Sequence, residues 1–297
     1  MMSLWLNALG ASVRFHDVNG VRTRCLEAGE GQAVLLLHGI GGHVEAFAKN
    51  VVPLAQRYRV IAVDMLGHGM TDKPDGDYMP PDYAAHILAL MDTLGIARAH
   101  IVGESLGSWV AYWMIQAAPS RVLSWTCCVG AGLQVDGFDN LRSPGVAELR
   151  KRSSQASAAP TRDSIRARLE WLFHEPGRFV SDELVETRLR FWSNPAMLRI
   201  QPMIAGIMDP ERGGQFYITA ERLERVATPT YFLWTEFNPT TPWQAAETAS
   251  RHVRGSRLDI MPNCGHWPQY EDPDGFHQRL LGFLDSVAVG ADCTPAS

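Results

Sequence analysis

The chain has 297 residues, long for one domain and short for two independent ones, so a single core carrying a sizeable insertion is expected. Hydrophobic residues at 46% and charged residues at 20% fit an ordinary soluble globular protein, and a net charge of −5 argues against nucleic acid as the main partner. No apolar run approaches the roughly eighteen residues that a membrane-spanning helix needs.

The start, MMSLWLNALGASVRF, has a short apolar stretch, but no Lys or Arg precedes Arg14. That argues against a cleaved signal peptide, although ALGAS is compatible with one. Two strands are predicted next, over SVRFHDV and VRTRCLEAG. AVLLLHG is a continuous apolar run ending in glycine, followed by a helical stretch and then YRVIAVDMLGHG. The alternation continues with helix YAAHILALMDTLG, strand AHIVG, helix LGSWVAYWMIQAA stopped by Pro119, and strand VLSWTCCVG. Continuous Val/Ile/Leu strands separated by helices predict a parallel sheet covered on both faces, an α/β fold.

From Leu133 to Val226 the strand signal vanishes. Helical pieces such as SIRARLEWLF and SDELVETRLRFW stand between prolines and glycines, with Ser181 as an N-cap. The expected organisation is a core of residues 1–132 and 227–297 with a helical lid over 133–226. That insertion holds 14 of 27 basic and 13 of 32 acidic residues, so most of its arginines are expected on solvated faces. The sheet resumes with PTYFLWT and SRLDIM, and GFHQRLLGFLDSVA closes as an amphipathic helix before a tail, VGADCTPAS, that reads as disordered. The five cysteines (Cys25, Cys127, Cys128, Cys264 and Cys293) include an adjacent pair but no C-x-x-C. They read as reduced thiols of a cytoplasmic protein, with no metal site.

Three segments carry chemistry. In GESLGS, Ser105 lies between Gly103 and Gly107, with an apolar strand before it and an apolar helix after it. That context predicts a nucleophile elbow, where small glycines permit a strained turn that lifts the hydroxyl clear of the sheet. In LLLHGIGGH, glycines at a strand end let a backbone N–H face a developing oxyanion. Ile40 would donate one such bond and Leu106 the other, with His38 structural. In NCGHWPQYEDP, His266 is the histidine in a Gly-flanked loop late in the chain, the place for a general base. His43, His68, His86, His100, His174, His252 and His277 sit in surface-like or helical contexts.

Together these segments resemble the α/β-hydrolase family across nearly the whole chain. CGHWPQYEDP, with Trp267 directly after the histidine, and DELVETR in the insertion are similar to the meta-cleavage product hydrolases, which split carbon–carbon bonds in ring-opened aromatic catabolites. The resemblance implies a carboxylate-bearing small-molecule substrate of the 2-hydroxy-6-oxo-hexa-2,4-dienoate type, no cofactor and a homodimer. It puts Arg188 at the position of the substrate-carboxylate arginine, with neighbouring Arg190 as a competitor, and places Trp267, Glu104 and Gly39 against the substrate. A carboxylesterase or lactonase on the same machinery, and a non-catalytic binding protein, remain open alternatives.

Two positions depart from that family. Its members usually have asparagine before the serine, where this chain has Glu104. A buried acid there would repel a carboxylate unless protonated or paired, or would serve structurally by accepting backbone N–H groups. Aligning LWTEFNPTTP with W-G-x-x-D-x-x-x-P puts Thr235 for glycine and Asn238 for the catalytic aspartate. Asn238 can still hold the imidazole but cannot balance its charge. Glu236, Asp136 and Asp139 are the other candidate acids, and a plain turn asparagine is the alternative for Asn238. The aromatics Trp171, Phe173, Phe191 and Trp192 either line a pocket or pack the insertion.

Overall fold

Strands whose side chains are buried on both faces can sit only in the middle of a covered sheet. Three segments meet that condition at every residue: β3 (Ala33–Leu37), β5 (Ala99–Glu104) and β10 (Thr230–Thr235). In the computed structural model, which describes residues 3–292, they stand within an eight-stranded sheet. The other members are β1 (Ser12–Val18), β2 (Val21–Ala28), β4 (Arg59–Val63), β6 (Val122–Cys128) and β11 (Arg257–Met261). Their order is β1-β2-β4-β3-β5-β6-β10-β11, with β2 antiparallel to both neighbours and the pairs from β4 onward parallel. Helices Pro80–Thr93, Leu106–Ala117, Trp243–Arg251 and Pro273–Asp292 accompany the sheet. The last of these runs to Asp292, so the first four residues of the expected disordered tail are helical. Cys293 and the rest of that tail lie outside the described residues.

Between β6 and β10 the structure differs from the sequence reading. The segment is mainly helical, but its ends form a second, three-stranded sheet of β7 (Leu133–Val135), β8 (Phe138–Asp139) and β9 (Ile218–Thr219). β7 pairs in parallel with β9, Leu133 opposite Ile218, so the entry and exit of the insertion are stapled together. Strands of two or three residues are too short to show alternation, so their sequence carried no signal. Four helices rise from this base: Pro144–Ala158, Arg162–Leu172, Asp182–Trp192 and Pro195–Ala205. Each starts at a side-chain cap, from Ser143, Thr161, Ser181 and Asn194 respectively, which satisfies one otherwise orphaned N–H.

Between β5 and the Leu106–Ala117 helix the chain reverses at Ser105, whose φ is 52° and ψ −112°. Few non-glycine residues adopt a left-handed backbone, and such strain gathers at functional sites. The turn is tight enough that a Cβ on Gly103 would lie 2.3 Å from the Gly107 carbonyl carbon, and one on Gly107 would lie 2.1 Å from the Leu37 carbonyl oxygen. Both contacts are with backbone and cannot relax cheaply. Gly107→Ala is therefore expected to cost about 1–3 kcal/mol of folding stability through overpacking, measured by urea unfolding.

Candidate active site

The carboxyl ends of β3, β5, β10 and β11 point to one edge of the sheet, where ligands of open α/β sheets bind. The loops leaving these strands carry Gly39 and Ile40, Ser105, Asn238 and His266 respectively. Ser105 and His266 line one cavity with Gly39, Ile40, Glu104 and Trp267, closed on the other side by Arg168 and Arg188 from the insertion. Among the described residues neither the Ile40 nor the Leu106 backbone N–H donates to a backbone acceptor, so both stay free to meet an oxyanion.

The His266 ring is held from one side. Its Nδ1 lies 2.7 Å from Asn238 Oδ1, and the Asn238 amide Nδ2 donates to the Thr241 carbonyl at 2.8 Å. A carbonyl can only accept, so Nδ2 must face it and Oδ1 must face the histidine. Asn238 Oδ1 therefore accepts the Nδ1–H, and the lone pair of Nε2 is left for the cavity. The wrong-tautomer problem that amides bring to this position is absent. The competing acids stand elsewhere: Asp139 accepts from Tyr217, Asp136 is exposed near His252, and exposed Glu236 accepts from the Asn263 N–H.

Two further groups hold the histidine loop. Thr235, at the family's glycine position, donates its hydroxyl to the Gly265 carbonyl at 2.6 Å. Glu271 Oε1 accepts the Gly265 and Trp267 N–H groups at 2.9 and 3.1 Å. Glu271 escaped sequence reasoning, although it sits in the same NCGHWPQYEDP segment. Its role is local to the turn and carries no chemical signature. His38 is structural, accepting the Met65 N–H at Nε2 and so donating Nδ1–H to the Gly39 carbonyl.

Arg188 is on the buried stripe of its helix with Leu184, Val185 and Trp192, whereas Arg190 is exposed and lines a surface groove with Phe191 and Lys73. Most of the insertion's arginines are at least partly exposed, with two exceptions. Arg188 and Arg168 are 1% and 2% exposed. Helical spacing is the reason: Arg168 falls on the apolar stripe of Ile165, Leu169 and Leu172. Arg188 Nε reaches His43 Nε2 at 3.2 Å, and His43 Nδ1 reaches Glu45 Oε2 at 2.8 Å. His43 is thus a buried link between a carboxylate and a guanidinium. His68, His86 and His100, expected in surface-like or helical contexts, are buried as well, His86 within the Pro80–Thr93 helix. For His43, its place at the end of the HGIGGH glycine loop was the available clue.

Arg188 leaves Nη1 and Nη2 without any partner, and Arg168 leaves Nη1. Burial lowers Arg188 to about 9 and Arg168 to about 10, so both remain cationic at neutral pH. Buried, charged donors without acceptors are costly unless something anionic arrives. Trp267 flanks this pair, with the Arg188 guanidinium carbon 5.4 Å from its ring centroid. Of the insertion aromatics, Trp192 donates to the Gly41 carbonyl and Phe173 packs on Trp267. Phe191 packs on His43 and Trp171 is half-buried on the core, while Phe191 and Trp192 also line a groove and a small cavity outside the Ser105 site.

Glu104 faces the same cavity. Its Oε2 accepts the Gly39 N–H at 2.5 Å, and a Cβ on Gly39 would lie only 2.6 Å from that oxygen. Gly39 therefore lines the site, but its amide is committed to Glu104 and unavailable to a substrate. Glu104 Oε1 stands 3.2 Å from His266 Nε2 and has no hydrogen bond of its own. Burial raises Glu104 to about 8, against the pull of the Gly39 N–H and the two arginines. Burial, with Arg168, lowers His266 to about 3, so at pH 7 the two partners meet uncharged.

Ser105 also lines a second cavity, mainly apolar, with Leu106, Trp109, Leu141, Val146, Ile207 and Met208 alongside Asn140 and Thr240. Ser105 is thus common to a pocket with two buried arginines and a mainly apolar one.

A family model described as alpha/beta hydrolase fold matches residues 32–273. The chain belongs to the α/β-hydrolase family. It is 30% identical over 279 residues to the 2-hydroxy-6-oxo-6-(2'-aminophenyl)hexa-2,4-dienoic acid hydrolase of Metapseudomonas resinovorans, covering 93% of this chain and 91% of that one. It is 30% identical over 265 residues to the 2-hydroxy-6-oxononadienedioate/2-hydroxy-6-oxononatrienedioate hydrolase of Escherichia coli K12, covering 87% and 89%. Among solved structures it resembles the meta-cleavage product hydrolase of Pseudomonas fluorescens IP01, with a TM-score of 0.79 and 26% identity over 92% of this chain and 97% of that one. These relatives are the hydrolases that the motifs around His266 and Arg188 resemble.

Two outcomes follow from the geometry of this hydrolase. The folded chain holds the Glu104 proton up to about pH 8, whereas an unfolded glutamate releases it near 4.5. The unfolded state therefore binds fewer protons across that window, and stability falls as pH rises through it. Glu104→Gln is expected to remove that component, flattening the pH dependence of the urea midpoint between about pH 5 and 8. Asn238→Asp is expected not to improve turnover, since one carboxylate oxygen would face the Thr241 carbonyl. Steady-state kinetics of that variant above the wild-type rate would contradict this.

Proposed function

We propose that the protein is a serine hydrolase that cleaves a carbon–carbon bond in a 2-hydroxy-6-oxo-hexa-2,4-dienoate-type ring-cleavage product with an apolar group on its acyl side. The observation that carries the reading is the pair of buried guanidiniums with unpartnered donors beside Ser105. They suit the carboxylate end of such a substrate, because a planar fork can bind two oxygens while keeping its charge. The mainly apolar lining of the second cavity beside Ser105 suits an apolar substituent on the C6 carbonyl. The relatives' names supply the substrate class, since each acts on a 2-hydroxy-6-oxo dienoic acid.

In this reading His266 first helps to shift a proton so that the dienol becomes its keto tautomer, which gives the leaving carbon an electron sink. Nε2 then takes the Ser105 proton as Oγ attacks the C6 carbonyl. The Ile40 and Leu106 N–H groups receive the oxyanion. The C5–C6 bond breaks as its electron pair is taken up by the conjugated leaving group, which receives the imidazolium proton as a dienol. The neutral His266 then takes a proton from water as that water releases the acid from Ser105. The strained backbone at Ser105 supports catalysis over a purely binding role, since an ordinary turn has no need of it.

The test is a chromogenic phenyl-substituted dienoate, whose visible absorbance disappears on turnover, against a series of p-nitrophenyl esters. The dienoate is expected to have the higher kcat/KM. A preference for the esters would favour a carboxylesterase. Arg188→Gln is expected to lower kcat/KM for the dienoate by about 1.5–3 kcal/mol, roughly 10- to 150-fold, and to leave p-nitrophenyl acetate turnover within a few-fold. Equal losses on both substrates would remove Arg188 from carboxylate binding.

A further inference from the structure

Two substitutions meet at His266. At Nδ1, where charge is usually placed, stands an amide that cannot carry it. At Nε2, the nitrogen that must take the serine proton, stands a carboxyl at 3.2 Å. We propose that Glu104 has taken over the charge-balancing task of the missing aspartate, meeting the imidazolium at Nε2 while Asn238 only orients the ring. This rests on the serine-hydrolase reading above.

The surroundings of Glu104 fit that task. Its carboxyl is anchored at Oε2 by the Gly39 N–H, so Oε1 is held toward the histidine with no competing partner. Asn238 Nδ2 is committed to the Thr241 carbonyl, which bars an anion from the other side of the ring. The charged and titratable groups facing Glu104 are Arg168 and Arg188 from the insertion, His266 from the loop after β11, and the buried Cys128 thiol of β6. A bound substrate carboxylate and an ionised Glu104 together carry two negative charges against two guanidiniums. The closed cavity is then neutral before the proton moves. When Ser105 gives its proton to Nε2, the hydroxyl O–H bond breaks and the Oγ–carbonyl bond forms. The imidazolium lies against Glu104 while the oxyanion lies against the Ile40 and Leu106 amides. Only the second arginine makes an acid tolerable beside an anionic substrate, so Arg168 and Glu104 belong together.

This assignment predicts an unusual pH profile. Burial and Arg168 hold the His266 imidazolium low, so the limb near neutrality belongs to the Glu104–His266 contact as a pair. Glu104 must be ionised, so Ser105 acylation should rise with pH toward a plateau above about 8.

The experiment is pre-steady-state acylation of Ser105 by p-nitrophenyl acetate across pH 5–10, which does not depend on which bond the natural substrate breaks. Wild type is expected to show the ascending limb. Glu104→Gln is expected to acylate about 100-fold more slowly at pH 9 and to lose that limb. Glu104→Ala leaves a space beside the Gly39 amide. Added acetate is expected to restore its acylation several-fold, whereas isosteric, uncharged acetamide is not. Wild-type rates and an unchanged profile in Glu104→Gln, or equal rescue by acetate and acetamide, would overturn the assignment and leave the hydrolase reading standing. A wild-type enzyme that is never acylated at Ser105 would remove both.

Discussion

Taking charge out of water is the constraint around which this site is organised. Arg168 and Arg188 are buried within one cavity, three of their nitrogens have no partner, and one carboxyl faces them. Such an arrangement is poor for stability, because desolvation of an ion costs several kcal/mol even after relaxation. It persists because the scaffold around it is over-determined. The Arg188 guanidinium is tied through His43 to Glu45, and Glu45 is tied to Arg24, which in turn is bound to Asp64 at 2.5 Å. Burial alone would raise the Glu45 carboxyl, but the His43 hydrogen bond and the Arg24 guanidinium hold it below the usual range. The cation in the cavity is thus supported by a chain of opposite charges rooted in the sheet.

The same economy appears at His266. Its ring is held at Nδ1 by an amide whose other face is tied to a carbonyl, and its loop is held by Thr235 and Glu271. Its backbone N–H donates to the Leu172 carbonyl at 2.7 Å, which couples the histidine to the insertion. The two halves of the molecule therefore meet through hydrogen bonds at the site as well as through packing. Arg168 adds to this by donating to the Ile40 carbonyl at 3.1 Å, on the residue whose N–H would receive the oxyanion. Movement of the inserted helices would be felt directly at His266 and at the Ile40 loop.

The differences from the meta-cleavage product hydrolases read as a coordinated set. Thr235 replaces a glycine and gains a bond to the histidine loop. Asn238 replaces an aspartate and gains a bond to Thr241. Glu104 replaces an asparagine, and its extra length lets it reach both Gly39 and His266. Each substitution alone looks like a loss or an intrusion. Their contacts put the site's carboxyl at Nε2, on the opposite side of the imidazole from Asn238.

Local pattern determined a good deal. Apolar runs marked the central strands, glycine spacing marked the turn at Ser105, and a Gly-flanked histidine late in the chain marked His266, because each depends on residues adjacent in sequence. Cap residues such as Ser181 were legible for the same reason. Three things were decided only by the tertiary structure. The two- and three-residue strands at the base of the insertion exist because distant partners complete them. Arg168 is buried because its helix turns that stripe toward the cavity and the Ile40 loop, a direction that composition does not encode. The meaning of Asn238 and Glu104 depended on which atoms lay across from them. The amide oxygen at Nδ1 comes from 28 residues away and the carboxyl at Nε2 from more than a hundred, and no spacing along the chain specifies either contact.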